Sequence, residues 1–226
     1  MTSTDLWRDF LTHKGKIVRK WAHYFPVYER HFEPWRGRSM TFLEIGVAKG
    51  GSLEMWQRYF GPLARVVGID IDAKCARNVS PGTFVRIGDQ SDPAFLQALI
   101  DEFGVPDVVL DDGSHQMAHI RASFETLYPQ MPKNAVYLVE DLHTAYWPEF
   151  GGGLHAPESF INIAKGLVDR LNADHARGTV VPDDFTRDTV SISFYDSIVV
   201  LEKGQAWRKT APAGPQNCCR TQTAEP

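Results

Sequence analysis

Two pairs of acidic residues, Asp111-Asp112 and Glu140-Asp141, each follow a short apolar run. Such runs predict buried strands, and open α/β sheets form their ligand crevice at the C-terminal ends of parallel strands. If the two strands lie close together, their carboxylates repel one another unless a cation or a shared proton is present. Because Mg²⁺ takes carboxylate ligands, we predict a metal site formed by Asp112, Glu140 and Asp141. Asp111 could instead hydrogen-bond the loop after the first strand.

Two histidines accompany these acids. His115 lies three residues after Asp112, beyond the flexible Gly113, and His143 follows Asp141 by two positions. A histidine titrates near neutrality and suits a general base, while a metal raises the acidity of a chelated diol. His115 is therefore the predicted base, and His143 is a second candidate or a substrate contact. Each feature alone also fits a turn, a helix cap or a solvated strand end, and their joint occurrence favours a site.

The elements that must position these residues alternate between strand and helix. This pattern predicts an α/β fold with a doubly wound, mostly parallel, seven-stranded sheet and an antiparallel C-terminal strand. The strands are expected at 40–47, 66–71, 84–87, 108–110, 136–139, 189–194 and 198–201, and the helices at 52–60, 92–103, 117–127 and 160–173. We divide the chain into an N-terminal helical segment (1–38), a main domain (39–204) and a disordered tail (205–226).

The composition narrows the class of protein. The chain has 226 residues, 43% of them hydrophobic, and a formal net charge of −4, which argues against a nucleic acid or an anionic membrane as partner. No run is long enough to span a bilayer, and the N-terminus lacks the apolar region of a signal peptide. Three cysteines, two of them adjacent at Cys218 and Cys219, give no disulfide framework. A cytoplasmic, reduced protein is the simplest interpretation.

A glycine-rich turn follows the first predicted strand. Its glycines permit a tight turn and close approach of a ligand, but Ala48 replaces the second glycine of the dinucleotide fingerprint. The turn resembles the E-x-G-x-x-x-G loop of S-adenosylmethionine-dependent methyltransferases, in which the acid holds the methionine ammonium. The expected cofactor contacts in this loop are Glu44, Gly46, Lys49, Gly50 and Ser52, and Ser52 is also expected to cap the next helix.

Polar residues also follow the second and third predicted strands. Asp70 lies where an acid accepts hydrogen bonds from ribose hydroxyls, and Asp89 and Gln90 could meet an adenine. Three successive strand ends with suitable chemistry indicate a nucleotide-type cofactor. S-adenosylmethionine is favoured over NAD.

Several motifs together resemble one family, the sugar O-methyltransferases that act on macrolide deoxysugars and on rhamnosyl groups. They are Leu43-Glu44-Ile45-Gly46-Val47, Gly68-Ile69-Asp70-Ile71, Gly88-Asp89-Gln90, Asp111-Asp112-Gly113-Ser114-His115 and Glu140-Asp141-Leu142-His143-Thr144. The resemblance implies Mg²⁺-dependent methyl transfer from S-adenosylmethionine to a sugar hydroxyl. It also implies that Asp112, Glu140 and Asp141 are metal ligands and that His115 is catalytic.

The acceptor and the assembly are less constrained. Aromatic residues stack on sugar faces, so Tyr146 and Trp147 are expected substrate contacts, and the glycines at 151–153 would permit a mobile lid. The macrolide enzymes carry a large additional N-terminal domain, whereas the first strand of this chain is predicted at residue 40. This difference argues against a macrolide-sized acceptor and against a tetramer of their kind. We expect a sugar acceptor, whether free, nucleotide-linked or in a glycan, and a homo-oligomer.

Three alternatives stay open on the sequence. A catechol O-methyltransferase also uses an acid-rich metal site and a diol. A non-catalytic protein could retain the fold and bind S-adenosylmethionine, although it would not need the acid cluster. An NAD-dependent enzyme could use a similar sheet, although the missing second glycine argues against it.

Overall fold

The computed structural model describes residues 5–205, which form seven strands and seven α-helices. The strands are β1 (Met40–Ile45), β2 (Ala64–Asp70), β3 (Thr83–Ile87), β4 (Val108–Asp111), β5 (Val136–Val139), β6 (Thr189–Tyr195) and β7 (Ile198–Lys203). The helices are α1 (Asp5–Thr12), α2 (Phe25–Phe32), α3 (Gly51–Phe60), α4 (Pro93–Phe103), α5 (Met117–Leu127), α6 (Phe160–Leu171) and α7 (Asp184–Asp188).

The strands form one sheet in the order β3-β2-β1-β4-β5-β7-β6. The pairs from β3 to β5 are parallel, and β7 is antiparallel to both β5 and β6. The predicted seven-stranded, doubly wound sheet with an antiparallel C-terminal strand is confirmed. The chain runs outward from β1 to β3 and then crosses to β4 on the other side of β1. The crevice of such a sheet lies at this reversal.

Helices cover both faces of the sheet. On one face α3 packs with α1 and α2 around Trp56, which is fully buried. On the other face α4, α5, α6 and α7 pack over a second cluster. Strands buried on both faces read as continuous apolar runs, which explains why β4 and β5 were visible in the sequence. Among the described residues, no helix is both long enough and apolar enough to cross a membrane.

Local sequence signals set several helix boundaries. Asp92 caps α4 by accepting a hydrogen bond from the Ala94 amide, and Pro93 occupies the first position of the helix. The predicted cap of α3 was wrong. The helix begins at Gly51 with the left-handed Gly50 as its N-cap, and the Ser52 hydroxyl donates instead to the Glu44 carboxylate.

The N-terminal segment is helical only in part. Between α1 and α2, residues 13–21 form neither helix nor strand, and a short 3-10 helix (Ala22–Tyr24) leads into α2. We call residues 13–21 the N-terminal strap. Of the predicted tail only Gln205 is described, so Cys218 and Cys219 lie outside the described residues.

Candidate active site

The register of the sheet brings the predicted strand ends together. Ile45, the last residue of β1, pairs with Ile69 on one side and with Asp111 on the other, and Asp111 pairs with Val139. The acid pairs after β4 and β5 therefore stand side by side next to the glycine loop after β1. The convergence of carboxylates expected from the sequence is present.

Three of the predicted residues form a compact set of ligand atoms. Asp112, His115 and Asp141 each offer one atom, and these atoms lie within 4.8 Å of one another. The His115 Nε2 atom lies 3.9 Å from Asp112 Oδ1 and 3.8 Å from Asp141 Oδ2. The His143 Nδ1 atom lies 4.0 Å from Asp141 Oδ1, so both candidate bases border the same carboxylate.

The backbone at this cluster is strained. His115 and Asp141 have φ angles of 58° and 56°, in the left-handed region that side-chain-bearing residues rarely adopt. Such conformations persist only where the surrounding structure holds them, and they concentrate at functional sites. With this backbone, the His115 ring lies beside the Asp112 and Asp141 carboxylates.

Glu140 is placed differently from Asp112 and Asp141. Its side chain is only 2% exposed, and both oxygens accept hydrogen bonds: Oε1 from Lys20 at 2.7 Å and Oε2 from the Tyr28 hydroxyl. Burial and the nearby charge of Asp112 raise the pKa of Glu140 well above its usual range. The structure thus groups Glu140 with Lys20 and Tyr28.

Lys20 lies among three carboxylates. Its Nζ atom lies 2.6 Å from Asp112 Oδ2, 2.7 Å from Glu140 Oε1 and 3.4 Å from Glu44 Oε1, and its side chain is only 2% exposed. Burial alone would lower the pKa of Lys20, but the three carboxylates outweigh it and hold the pKa well above its usual value. Lys20 therefore contributes a permanent positive charge to the cluster.

Two tyrosines from the N-terminal segment complete the acid cluster. The Tyr24 hydroxyl donates to Asp141 Oδ1 at 2.6 Å, and the Tyr28 hydroxyl donates to Glu140. Neither these tyrosines nor Lys20 was predicted to belong to the acid cluster. The short basic stretch before an aromatic-rich helix was the available signal, but nothing in it indicated contacts across more than a hundred positions.

A cavity of about 160 Å³ opens at the ends of β1, β2 and β3. We call it the sheet-end cavity. Its lining contains the predicted cofactor residues Gly46, Asp70, Asp89 and Gln90, together with Ser114 and His119. The grouping expected from three successive strand ends is present.

Two further cavities lie at the same edge of the sheet and share lining residues in sequence with this one. The loop cavity, about 260 Å³, is lined by Gly46, Lys49, Ser52, Lys20 and Asp112 among others. The acid cavity, about 520 Å³, is lined by Lys20 and Asp112 again and by the acids after β5. Gly46 is common to the sheet-end and loop cavities, and Lys20 and Asp112 are common to the loop and acid cavities.

Asp70 holds the glycine loop. One carboxylate oxygen accepts from the amides of Val47 and Ala48, both at 3.0 Å, and the other accepts from the amide of Asp72 at 2.9 Å. Burial opposes ionisation of Asp70, but these backbone donors outweigh it and lower the pKa below its usual value. Asp70 therefore fixes the loop in addition to lining the sheet-end cavity.

Glu44 is fully buried beneath the loop cavity. Its Oε2 atom accepts from the Ser52 hydroxyl at 2.7 Å, and its Oε1 atom accepts from the Trp56 indole N–H at 3.2 Å. Burial raises the pKa of Glu44, against the opposing effect of Lys20. Glu44 itself does not line the loop cavity, but its partner Ser52 does, and the Lys20 ammonium lies 3.4 Å from Glu44 Oε1.

The structure differs from the prediction at Asp111. Its buried carboxylate accepts from the side chains of Gln90, Ser123 and Tyr137 and contacts neither the glycine loop nor a cavity. Gln90 in turn accepts from the Ser114 amide at 2.8 Å. Burial raises the pKa of Asp111, although these donors favour its charged form. Asp111 positions Gln90 and the loop after β4 and would not touch a cofactor itself.

A series of aromatic rings begins at Trp21, which lines the acid cavity. The His143 ring lies 5.0 Å from Trp147 and 6.1 Å from Trp21, and Trp147 lies 5.9 Å from Phe150. Trp147 is 43% exposed and Tyr146 46%, so both predicted substrate contacts are accessible. Trp21 and Phe150 belong to the same rim, although the sequence did not single them out.

The fold and these strand ends have the arrangement typical of α/β proteins that bind a nucleotide-type ligand at the carboxyl edge of the sheet. No family model matches the chain. Several individual proteins do match, and all of those described below are methyltransferases.

The chain is 41% identical over 196 residues to 8-demethyl-8-alpha-L-rhamnosyl tetracenomycin-C 2'-O-methyltransferase of Streptomyces olivaceus, covering 81% of this chain and 51% of that protein. It is 36% identical over 199 residues to mycinamicin VI 2''-O-methyltransferase of Micromonospora griseorubida, covering 81% and 49%. The chain thus spans about half the length of the curated relatives it matches.

A solved structure agrees with these relatives. The MycE methyltransferase of the mycinamycin biosynthetic pathway, in complex with Mg, SAH and mycinamycin VI, superposes with a TM-score of 0.76 at 33% identity. The match covers 89% of this chain and 53% of that chain. Over the matched residues, the chain is therefore similar to O-methyltransferases that act on sugar-bearing natural products.

Proposed function

We propose that this protein is a metal-dependent O-methyltransferase that moves a methyl group from S-adenosylmethionine to a sugar hydroxyl. One observation carries the proposal. The compact set of Asp112, His115 and Asp141 lies beside a line of three adjoining cavities, with Asp112 in the lining of two. Its matched relatives methylate rhamnosyl and other sugar-bearing natural products, which supports a deoxysugar or rhamnosyl acceptor.

The donor would occupy the sheet-end and loop cavities. Its adenosine would meet Asp70, Asp89 and Gln90 in the sheet-end cavity. Its methionine ammonium would lie on the side of Glu44, which is buried behind Ser52 of the loop cavity. Gly46, Lys49, Gly50 and Ser52 form the loop around it. The donor methyl would then point toward Asp112, the residue that borders both the loop cavity and the acid cavity.

The residues present fit a hard divalent cation. Asp112 and Asp141 offer oxygen atoms in one compact group. Glu140 and Asp112 both contact the Lys20 ammonium, so Glu140 lies next to that group. Carboxylates of this number suit Mg²⁺. Asp112, Glu140 and Asp141 would hold the ion, which when bound lowers the pKa of a chelated sugar hydroxyl.

His115 is the proposed base. It accepts the proton of one sugar hydroxyl, whose oxygen attacks the methyl carbon as the carbon–sulfur bond breaks. The sulfonium becomes a neutral thioether, and the proton stays on the imidazole until solvent takes it. Asp112 and Asp141 stabilise the imidazolium from 3.9 and 3.8 Å. Orientation and charge supply most of the acceleration.

The acceptor would lie in the acid cavity against the aromatic rim. Trp147 and Tyr146 present accessible rings for the apolar face of a sugar, and His143 borders the same space. His143 is proposed as a substrate contact or a second base. The cytoplasmic location, the lack of a nucleic-acid or membrane partner and a homo-oligomeric assembly stay predictions from the sequence.

The test is transfer of a labelled methyl group from S-adenosylmethionine to rhamnosyl and deoxysugar acceptors, with Mg²⁺ or with a chelator. We expect product with a sugar diol that disappears with the chelator. Transfer to catechols alone would favour the small-molecule alternative. Donor binding without transfer to any acceptor would favour the non-catalytic alternative.

A further inference from the structure

The Lys20 ammonium contacts one carboxylate oxygen on each of two proposed metal ligands. Asp112 Oδ2 and Glu140 Oε1 lie 2.6 and 2.7 Å from Lys20 Nζ. An ammonium that is almost wholly buried is stable only when anionic groups surround it. Glu44, 3.4 Å away, is the third such group. Lys20 is thus an internal cation bound by three carboxylates.

Lys20 also lies at the boundary between the loop cavity and the acid cavity. Lys20 and Asp112 line both the loop cavity and the acid cavity, so their ion pair stands between the two. A methyl group passing from donor to acceptor would cross this boundary. An ion pair that remained fixed there would stand in the way of that transfer.

The N-terminal strap brings Lys20 to this place and is anchored elsewhere through Lys16. The Lys16 ammonium donates to the carbonyls of Asn78 and Val79 and to the Ser80 hydroxyl, and the Lys16 amide donates to Glu54. The strap has no helix or strand of its own, so these side-chain contacts hold it. Replacing Lys16 or Lys20 would loosen the strap without altering the sheet.

We propose that Lys20 competes with the divalent cation for Asp112 and Glu140, so that the cation binds as the Lys20 end of the strap moves away. This inference rests on the metal site of the proposed function. A divalent ion and an ammonium at the same two oxygens repel each other strongly, because neither is screened by water there. Lys20 therefore sets the affinity of the site for its cation and links cation binding to the opening between the two cavities.

The test measures binding of Mn²⁺, as a probe of the divalent site, to wild type, Lys20→Met and Lys20→Arg. We expect Lys20→Met to bind Mn²⁺ about tenfold more tightly or better, because a competing charge has been removed. Lys20→Arg keeps the charge and should stay near wild type. Lys14→Met removes one charge from the same strap, without a described contact to the acids, and should also stay near wild type.

A second variant and a second measurement cover the case in which Lys20→Met does not fold. Lys16→Met loosens the other anchor of the strap and should also tighten Mn²⁺ binding, by a smaller factor. Hydrogen exchange of the wild-type strap should become faster when Mg²⁺ is added. Equal Mn²⁺ affinity of wild type and the Lys20 and Lys16 variants, or slower exchange with Mg²⁺, overturns this inference alone. No binding of Mn²⁺ to any of these proteins overturns the proposed metal site as well.

Discussion

The backbone of Gly46 packs directly against the carbonyl oxygen of Asp112, so closely that a Cβ on Gly46 would overlap that oxygen. The amide of Asp112 also donates to the Ile45 carbonyl at 2.9 Å. The loop that lines the donor cavities and the acid proposed to hold the cation are therefore one packed unit. A change in either loop should displace the other.

Gly46→Ala should disrupt the site and destabilise the protein. Its φ of 97° disfavours any side chain, at about 1–3 kcal/mol. The overlap with Asp112 adds about 1–3 kcal/mol. Gly61→Ala is the matched control, since Gly61 has a φ of 89° but nothing within 4 Å of its Cβ position. Chemical denaturation should show a larger decrease in the free energy of unfolding for Gly46→Ala than for Gly61→Ala. Calorimetry should show loss of S-adenosylmethionine binding in Gly46→Ala alone. Equal losses for the two variants would contradict the packing argument.

Replacing His115 should remove the general base and leave the donor site intact. Asparagine is the suitable replacement, because it tolerates the left-handed backbone at this position better than most residues. We expect the transfer rate of His115→Asn to fall about 10²–10⁴-fold, with donor affinity nearly unchanged. The exposed His155 provides a control in His155→Asn. A His115→Asn protein with a wild-type rate would exclude His115 as the base.

Asp141→Asn should weaken cation binding and transfer together. Changes to residues that only orient metal ligands already cost about 10–100-fold in affinity, so loss of a ligand should cost at least as much. Asp72→Asn removes the same charge on a strand end distant from the acid cluster and should bind Mn²⁺ as wild type does. Titration with Mn²⁺ and the Mg²⁺ dependence of the rate provide the measurements. If Asp141→Asn keeps the wild-type Mn²⁺ affinity and the wild-type Mg²⁺ dependence of the rate, Asp141 is not a metal ligand.

The lowered pKa of Asp70 predicts a specific dependence of stability on pH. Its folded pKa lies below the ordinary value of 3.8, so the ionised form stabilises the fold. That contribution is present above the unfolded pKa and is lost as the pH falls through the folded pKa. Asp70→Asn should melt below wild type at pH 7, and the difference should shrink below about pH 4. Melting curves from pH 7 to pH 2 measure this, and a difference that stays constant would refute it.

Trp147→Ala should weaken binding of the acceptor more than it slows the chemistry. Trp147 contacts the His143 ring and is accessible at the edge of the acid cavity, so its loss removes a stacking surface. We expect the KM for the sugar to rise about tenfold, corresponding to about 1.4 kcal/mol, with a small change in kcat. Trp147→Phe should retain most of the affinity. A lowered kcat with unchanged KM would assign Trp147 to the chemistry instead.

Features that depend on local sequence were predicted well. The helix α5 and the strand β5 have the predicted boundaries, because apolar periodicity and run length decide them. The doubly wound, mostly parallel sheet followed from the alternation of strand and helix. The grouping of Asp112, His115 and Asp141 followed from one rule, that parallel strands end at the same edge.

Features that depend on distant contacts were not predictable. Nothing local indicates that Ser52 would bind Glu44 in place of capping α3, or that Asp111 would turn away from the cavities toward Ser123. Lys20 is the clearest case, since its partners Asp112 and Glu140 lie 92 and 120 positions away. A single sequence carries no record of such pairs, because any basic residue with a long stem could have met those acids.

These long separations also bear on the order of folding. The contacts of Lys20, Tyr24 and Tyr28 with the β5 acids can form only after β4 and β5 have joined the sheet, because closing so long a loop is entropically costly. Once these strands have paired, and until the N-terminal residues dock, the acids repel one another without a counter-charge. We therefore expect docking of the N-terminal residues to be a late step, and a newly made chain to acquire its sheet before its acid cluster is neutralised.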